Sequence, residues 1–170
     1  MLKKLFFLAP LLLLFTSSYT SSSYTPILMD RAKLETSVAM AGMAKPITNP
    51  GKICVYKQWV LLVEKYKGIH LIDNTDPAKP VRRDFLRIPG CIDIAVGHGI
   101  IYADNAVDLV GVSVNFSTLK AHEVCRQKGV LPEIVSPYGY IPSAFSRRNR
   151  PANTEIVGWK ADEINVNTYE

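Results

Sequence analysis

Cysteine is scarce: Cys54, Cys91 and Cys125 are the only three in 170 residues. Their spacings, 37 and 34 positions, match neither a zinc ligand set nor a redox pair. An odd count leaves at least one unpaired, and apolar flanks such as Ile53-Cys54-Val55 and Val124-Cys125-Arg126 suggest small buried hydrophobes on strands. None precedes residue 24, so no lipid-attachment cysteine of the bacterial lipoprotein kind is present there. A long apolar run is missing too. The longest, Leu5 to Phe15, has eleven residues, against the ~20 that span a bilayer as a helix. Charge is nearly balanced: +5 overall, and +3 once Lys3 and Lys4 are set aside, which leaves no footprint for nucleic acid. No catalytic spacing links His70, His98 and His122, and the residues call for no cofactor.

What the N-terminus does contain is a basic start at Lys3-Lys4, the apolar run, and a small polar tract from Thr16 to Ser23. That order is expected of a secretory signal over residues 1–23, and places the protein in the periplasm or at the cell surface. Residues 24–50 read as a lead-in. Asp30 is positioned to cap a short helix over about Arg31 to Val38, with Leu34 and Val38 on one face, and Asn49-Pro50-Gly51 closes the segment.

From Gly51 the apolar period becomes two. Ile53 to Tyr56, Trp59 to Val63, Gly68 to Ile72 and Val81 to Ile88 are strand-length runs rich in branched and aromatic residues, joined by short connections that favour antiparallel hairpins. Arg82, Arg83 and Arg87 suit the last as an exposed, charge-protected edge. Asp73-Asn74-Thr75-Asp76-Pro77 reads as a turn in which carboxylates accept from amides two residues on; the glycine and distal glutamate of a calcium loop are missing. The pattern restarts at Cys91, with strands expected over Cys91–Val96, Gly99–Asp104, Leu109–Val114 and His122–Cys125. Placing Val60 on Ile100, Leu61 on Ile101, Glu64 on Asp104, Ile69 on Leu109 and Ile72 on Val112 gives one offset of 40. Four strands at that period predict an all-β fold of antiparallel meanders forming part of a β-propeller: residues 51–90 and 91–131 as two blades, 132–170 as an incomplete third.

The stretch Gly68-Ile69-His70-Leu71-Ile72-Asp73-Asn74-Thr75-Asp76-Pro77-Ala78-Lys79-Pro80-Val81 resembles the LVIVD repeat, an apolar strand ending in Asp followed by Asp-Pro-x-x-Pro-Val. Asn49 to Ile53, Ile88-Pro89-Gly90 and Tyr102-Ala103-Asp104 are similar to the N-terminal part of exported bacterial LVIVD-repeat proteins. The second unit departs from the pattern, with Ser113 in place of Asp and Asn115-Phe116-Ser117 in place of Asp-Pro. The resemblance implies a β-propeller without an assigned activity. Two blades and a fragment fall short of the roughly four that close a ring, so the expectation is a portion of a larger propeller, prone to self-association through open sheet edges.

Three functions follow. The first is a non-catalytic envelope scaffold or interaction module, with other envelope proteins or glycans as partners. The second is a glycan- or peptide-binding module using Tyr138, Tyr140, Arg147 and Arg148, where basic residues interleave with aromatics; a solvated loop is the plainer explanation of that stretch. The third is an exported hydrolase built on one of the histidines with a carboxylate or cysteine, which needs a histidine within hydrogen-bond reach of its partner inside a pocket.

Overall fold

The computed structural model describes residues 23–162. The leader expected over residues 1–23 therefore lies outside the described residues, apart from Ser23. Among the described residues no helix is long and apolar enough to cross a membrane.

The chain is built mostly of antiparallel strands. β1 (Tyr24–Asp30) leads into α1 (Arg31–Glu35), then β2 (Ala39–Met40), β3 (Pro50–Tyr56), β4 (Trp59–Glu64), β5 (Gly68–Asp73) and β6 (Val81–Arg87). β7 (Ile94–Gly97), β8 (Ile100–Asn105), β9 (Asp108–Asn115), β10 (Lys120–Gln127) and β11 (Thr154–Ala161) follow. Both expected meanders form, as a five-stranded sheet ordered β2-β6-β5-β4-β3 and a four-stranded sheet ordered β10-β9-β8-β7. The expected helix is present and shorter than its apolar spacing suggests. Asp30 Oδ1 accepts from the amides of Ala32 (2.9 Å) and Lys33 (3.2 Å), and the helix stops at Thr36, so Val38 packs against a different core from Leu34.

Three features differ from expectation. Tyr24–Asp30, read as lead-in, is a strand that pairs with β11 in a separate two-stranded sheet. Pro132 to Pro137 forms no strand, so no third meander begins there; two prolines in six residues deny a ladder its donors. β6 is not an open edge along its whole length. Ala39 and Met40 pair with Arg87 and Leu86, and Ala41 N donates to Phe85 O (2.8 Å), while Arg82 and Arg83 stay exposed where pairing stops.

The two large sheets share one core, with Leu61, Val63, Ile69 and Leu71 facing Ile101, Ala103, Val110 and Val112. They stack in the same sense. β3 lies beside β7 and β2 beside β10. The turns after β3 and β7 meet at one end, where Tyr56 and Trp59 line a hollow with Gly99 and Phe116. The turns after β4 and β8 meet at the other, where Gly90 N donates to Tyr66 O (2.9 Å) and the Gly90 backbone abuts that of Ala106 so closely that a Cβ would lie 2.5 Å from Ala106 N.

Same-sense stacking corrects the repeat register. By ladder position Trp59 matches Ile100, because Tyr56 pairs with Trp59 as Gly97 pairs with Ile100. Ile69 still matches Leu109, since the turn after β4 has three residues (65–67) and that after β8 two (106–107). The offset is thus 41 in the second strand and 40 in the third. One residue of slip exchanges faces. By these offsets the counterparts of core-facing Leu61, Ile69 and Leu71 are Tyr102, Leu109 and Gly111, on the outer face of the second sheet, as same-sense stacking requires.

The β1-β11 ribbon lies across the end where Tyr66 and Ala106 turn, both with positive φ (70° and 58°). It forms a second core of Leu34, Ala106, Ile134, Ile156, Val157 and Trp159, against which Tyr66 packs. Gly158 is required there: a Cβ would stand 2.8 Å from two atoms of Tyr66.

Candidate functional site

Pairing of β1 with β11 brings Ser23, Tyr24 and Thr25 beside Asp162, and the loop between β10 and β11 adds Tyr138 and Tyr140. The loop is pinned locally. Ser136 N and Oγ both donate to Tyr140 O (3.1 and 2.7 Å), and Gly139, at φ 83°, donates to Ser136 O (2.8 Å). A positive φ at that corner suits glycine. The turn holds the Tyr138 and Tyr140 rings stacked at 6.2 Å, and Tyr24 meets Tyr138 edge-on at 5.2 Å. Both loop tyrosines are about half exposed, 50% and 56%.

These rings border a cleft of about 400 Å³. Asp162 accepts from Ser23 Oγ and Thr25 Oγ1, each at 2.6 Å, and those bonds hold its carboxyl below the usual range, so it is ionised at neutral pH. The cleft thus offers aromatic faces beside an anionic acceptor and two hydroxyls. No histidine or cysteine lines it.

The arginines expected to share this site are elsewhere. Arg147 bridges Glu133 and Glu155, each at 3.3 Å, and Arg150 is buried against the same two carboxylates. Arg148 is exposed. Alternation of arginine and aromatic residues along the loop therefore resolves into two surfaces, one aromatic and one made of ion pairs.

Of the histidines, His98 sits in the turn after β7 at φ 52° and His122 lies exposed on β10. His70 is fully buried, and its Nε2 lies 3.1 Å from Glu64 Oε2. The pair meets the hydrogen-bond half of the enzyme criterion. It does not meet the pocket half: Phe85 packs edge-on against the imidazole at 4.9 Å, and Glu64 is occupied by the amides of Thr48 and Asn49. Glu64 was not singled out from sequence. A hairpin with a three-residue turn sets Leu62 opposite His70, with Glu64 diagonal to it, and that geometry was the available signal.

The cysteines divide by environment. Cys91 is buried in the main core, in a turn rather than on a strand, and burial pushes its thiol far up. Cys54 is partly covered. Cys125 is exposed, contrary to expectation: its Sγ lies over Gly111 on the outer face of the second sheet. Asp73 and Asp76 do accept from amides two residues on, those of Thr75 and Ala78, both at 3.0 Å.

Fold and cleft together define an all-β protein of antiparallel sheets with an aromatic surface cleft. Comparison with protein-family models, curated proteins and solved structures finds no match to this chain.

Proposed function

We propose that this chain is an exported, non-catalytic binding module of the LVIVD-repeat, β-propeller kind, and that its recognition surface is the Tyr24, Tyr138 and Tyr140 cleft. The two stacked sheets are read as neighbouring blades. Same-sense stacking supports this, because radial repetition packs one face of each blade on the opposite face of the next. The ligand is a glycan. The observation that carries the assignment is the pair of half-exposed stacked tyrosines beside the ionised Asp162. Aromatic faces pack on the C–H faces of a pyranose while the carboxylate accepts from its hydroxyls, and such aromatic anchors supply most of the binding energy at a recognition surface.

A glycan array followed by titration calorimetry tests the reading. The expected result is binding to a restricted set of oligosaccharides, weakened about tenfold or more by Tyr138→Ala or Tyr140→Ala, since loss of an aromatic anchor costs over ~1 kcal/mol. Arg148→Ala should leave it unchanged. An array with no hits, or binding indifferent to both tyrosines, would remove the assignment.

A further inference from the structure

A second cavity, of about 550 Å³, opens between the β1-β11 ribbon and the end of the five-stranded sheet. Its walls are apolar: Tyr66, Phe85, Pro89, Val157 and Trp159, together with Met29 and the 44% exposed Ile27. Four cations, Lys65, Lys67, Arg87 and Lys160, also line it, and no carboxylate does. Two of them are partly engaged. Lys67 Nζ donates to Thr48 Oγ1 (3.2 Å) and lies 3.8 Å from Glu64, and Arg87 Nε donates to Ser37 O (3.2 Å). Lys65 and Lys160 make no side-chain hydrogen bond or close ion pair among the described residues, although the charge of Lys160 reaches Asp162 and helps to lower its pKa.

An apolar cavity of this volume lies within the ~300–1,000 Å³ of small-molecule sites. Cations gathered round it repel one another when it is empty, and a single negative head group relieves that repulsion while an apolar body fills the interior. A neutral hydrocarbon gains only the second effect, and an amphiphilic cation meets repulsion at the mouth. Neutral glycans, which need hydroxyl partners, are poorly matched to walls of this composition.

We infer that this cavity is a binding site for an amphiphilic carboxylate of the fatty-acid class, its chain between Phe85 and Trp159 and its head group at Lys65 and Lys160. The site shares no lining residue with the tyrosine cleft, and the two are linked only through the charge of Lys160, which helps to hold the Asp162 carboxyl down.

Dodecanoate is the probe, titrated by calorimetry below its micellar concentration, with dodecanol and dodecyltrimethylammonium as the neutral and cationic counterparts. The expected result is saturable one-to-one binding of dodecanoate, at least tenfold tighter than either counterpart. Lys65→Ala/Lys160→Ala should weaken it about tenfold and erase the preference over dodecanol, while the melting temperature holds. Ile27→Trp, which adds bulk to the lining from an exposed position, should block it. Absence of binding, equal binding of all three amphiphiles, or binding unaffected by the double lysine variant in a normally folded protein would overturn the assignment. Tyr138→Ala should leave dodecanoate binding intact, which keeps this outcome distinct from that of the glycan experiment.

Discussion

Burial raises a carboxyl's pKa, and at Glu64 that is the largest single effect. Hydrogen bonds from Thr48 Oγ1, His70 Nε2 and the amides of Thr48 and Asn49 outweigh it and hold the group at about 2, against an ordinary 4.5. A folded-state pKa below the unfolded one contributes stability that is fully present above about pH 4.5 and is lost as pH falls through 2. Glu64→Gln should therefore be destabilised at pH 7 and lose less than the parent on going from pH 4.5 to 2. Urea unfolding at several pH values measures both, and parallel profiles for the two proteins would mean that Glu64 titrates alike folded and unfolded. Its bonds also explain why a buried histidine is tolerated in mid-strand. The carboxylate tethers one imidazole nitrogen, and only Nδ1 is left unpartnered.

Between elements, the closest counterpart is Asp108 at the start of β9. Its side chain is fully buried and takes Arg31 of α1 (2.8 Å), Arg126 of β10 (2.7 Å) and the amide of Gly129 (2.9 Å), tying the helix to the second sheet. Removing one member of a buried charge cluster strands the rest, at about 3–5 kcal/mol. Asp108→Ala should lose roughly that much, with Asp108→Asn, which can still accept from Gly129, intermediate; a urea midpoint unchanged in Asp108→Ala would show that the bonds Arg31 and Arg126 already make to Glu35 and Glu123 are enough to hold them. None of this was readable from the chain, where Arg31 and Asp108 are 77 positions apart. Strands of the two meanders were readable, because alternation and turn residues act within a few positions. The register of the repeat was not, since the turn after β4 is one residue longer than that after β8, and composition does not show that the offset changes from 41 to 40 there. The same division runs through the candidate site. Tyr138 and Tyr140 stand out as aromatics in a loop, whereas Tyr24 and Asp162 join them only through pairing of β1 with β11. Arg147 looked free because Glu133 and Glu155, its partners, lie in segments that showed no link to it.

At the scale of the whole molecule, the two cores each contain one of the chain's two tryptophans. Trp59 stacks on Phe116 at 4.9 Å in the large core, and Trp159 donates from Nε1 to Ile134 O (3.0 Å) in the small one. Nine strands enclose the first core, while a two-stranded ribbon covers the second, and an isolated ribbon of that size is marginal in water. The ribbon also joins segments distant in sequence, so it gains its contacts only once both sheets have presented Tyr66 and Ala106 as a platform. Its opening is therefore expected to precede that of the sheets. Single-tryptophan variants, Trp59→Phe and Trp159→Phe, separate the signals: fluorescence from Trp159 should change at lower urea than fluorescence from Trp59. Superimposed transitions would instead make the close approach of Gly90 to Ala106, and of Gly158 to Tyr66, strong enough to join both cores in one cooperative unit. With separate transitions, both proposed sites belong to the less stable part, since the cavity is walled by β1 and β11 and the cleft by β1 and Asp162, the residue that follows β11. Dodecanoate would then raise the Trp159 midpoint and leave that of Trp59 where it was, because a ligand stabilises only the opening that releases it.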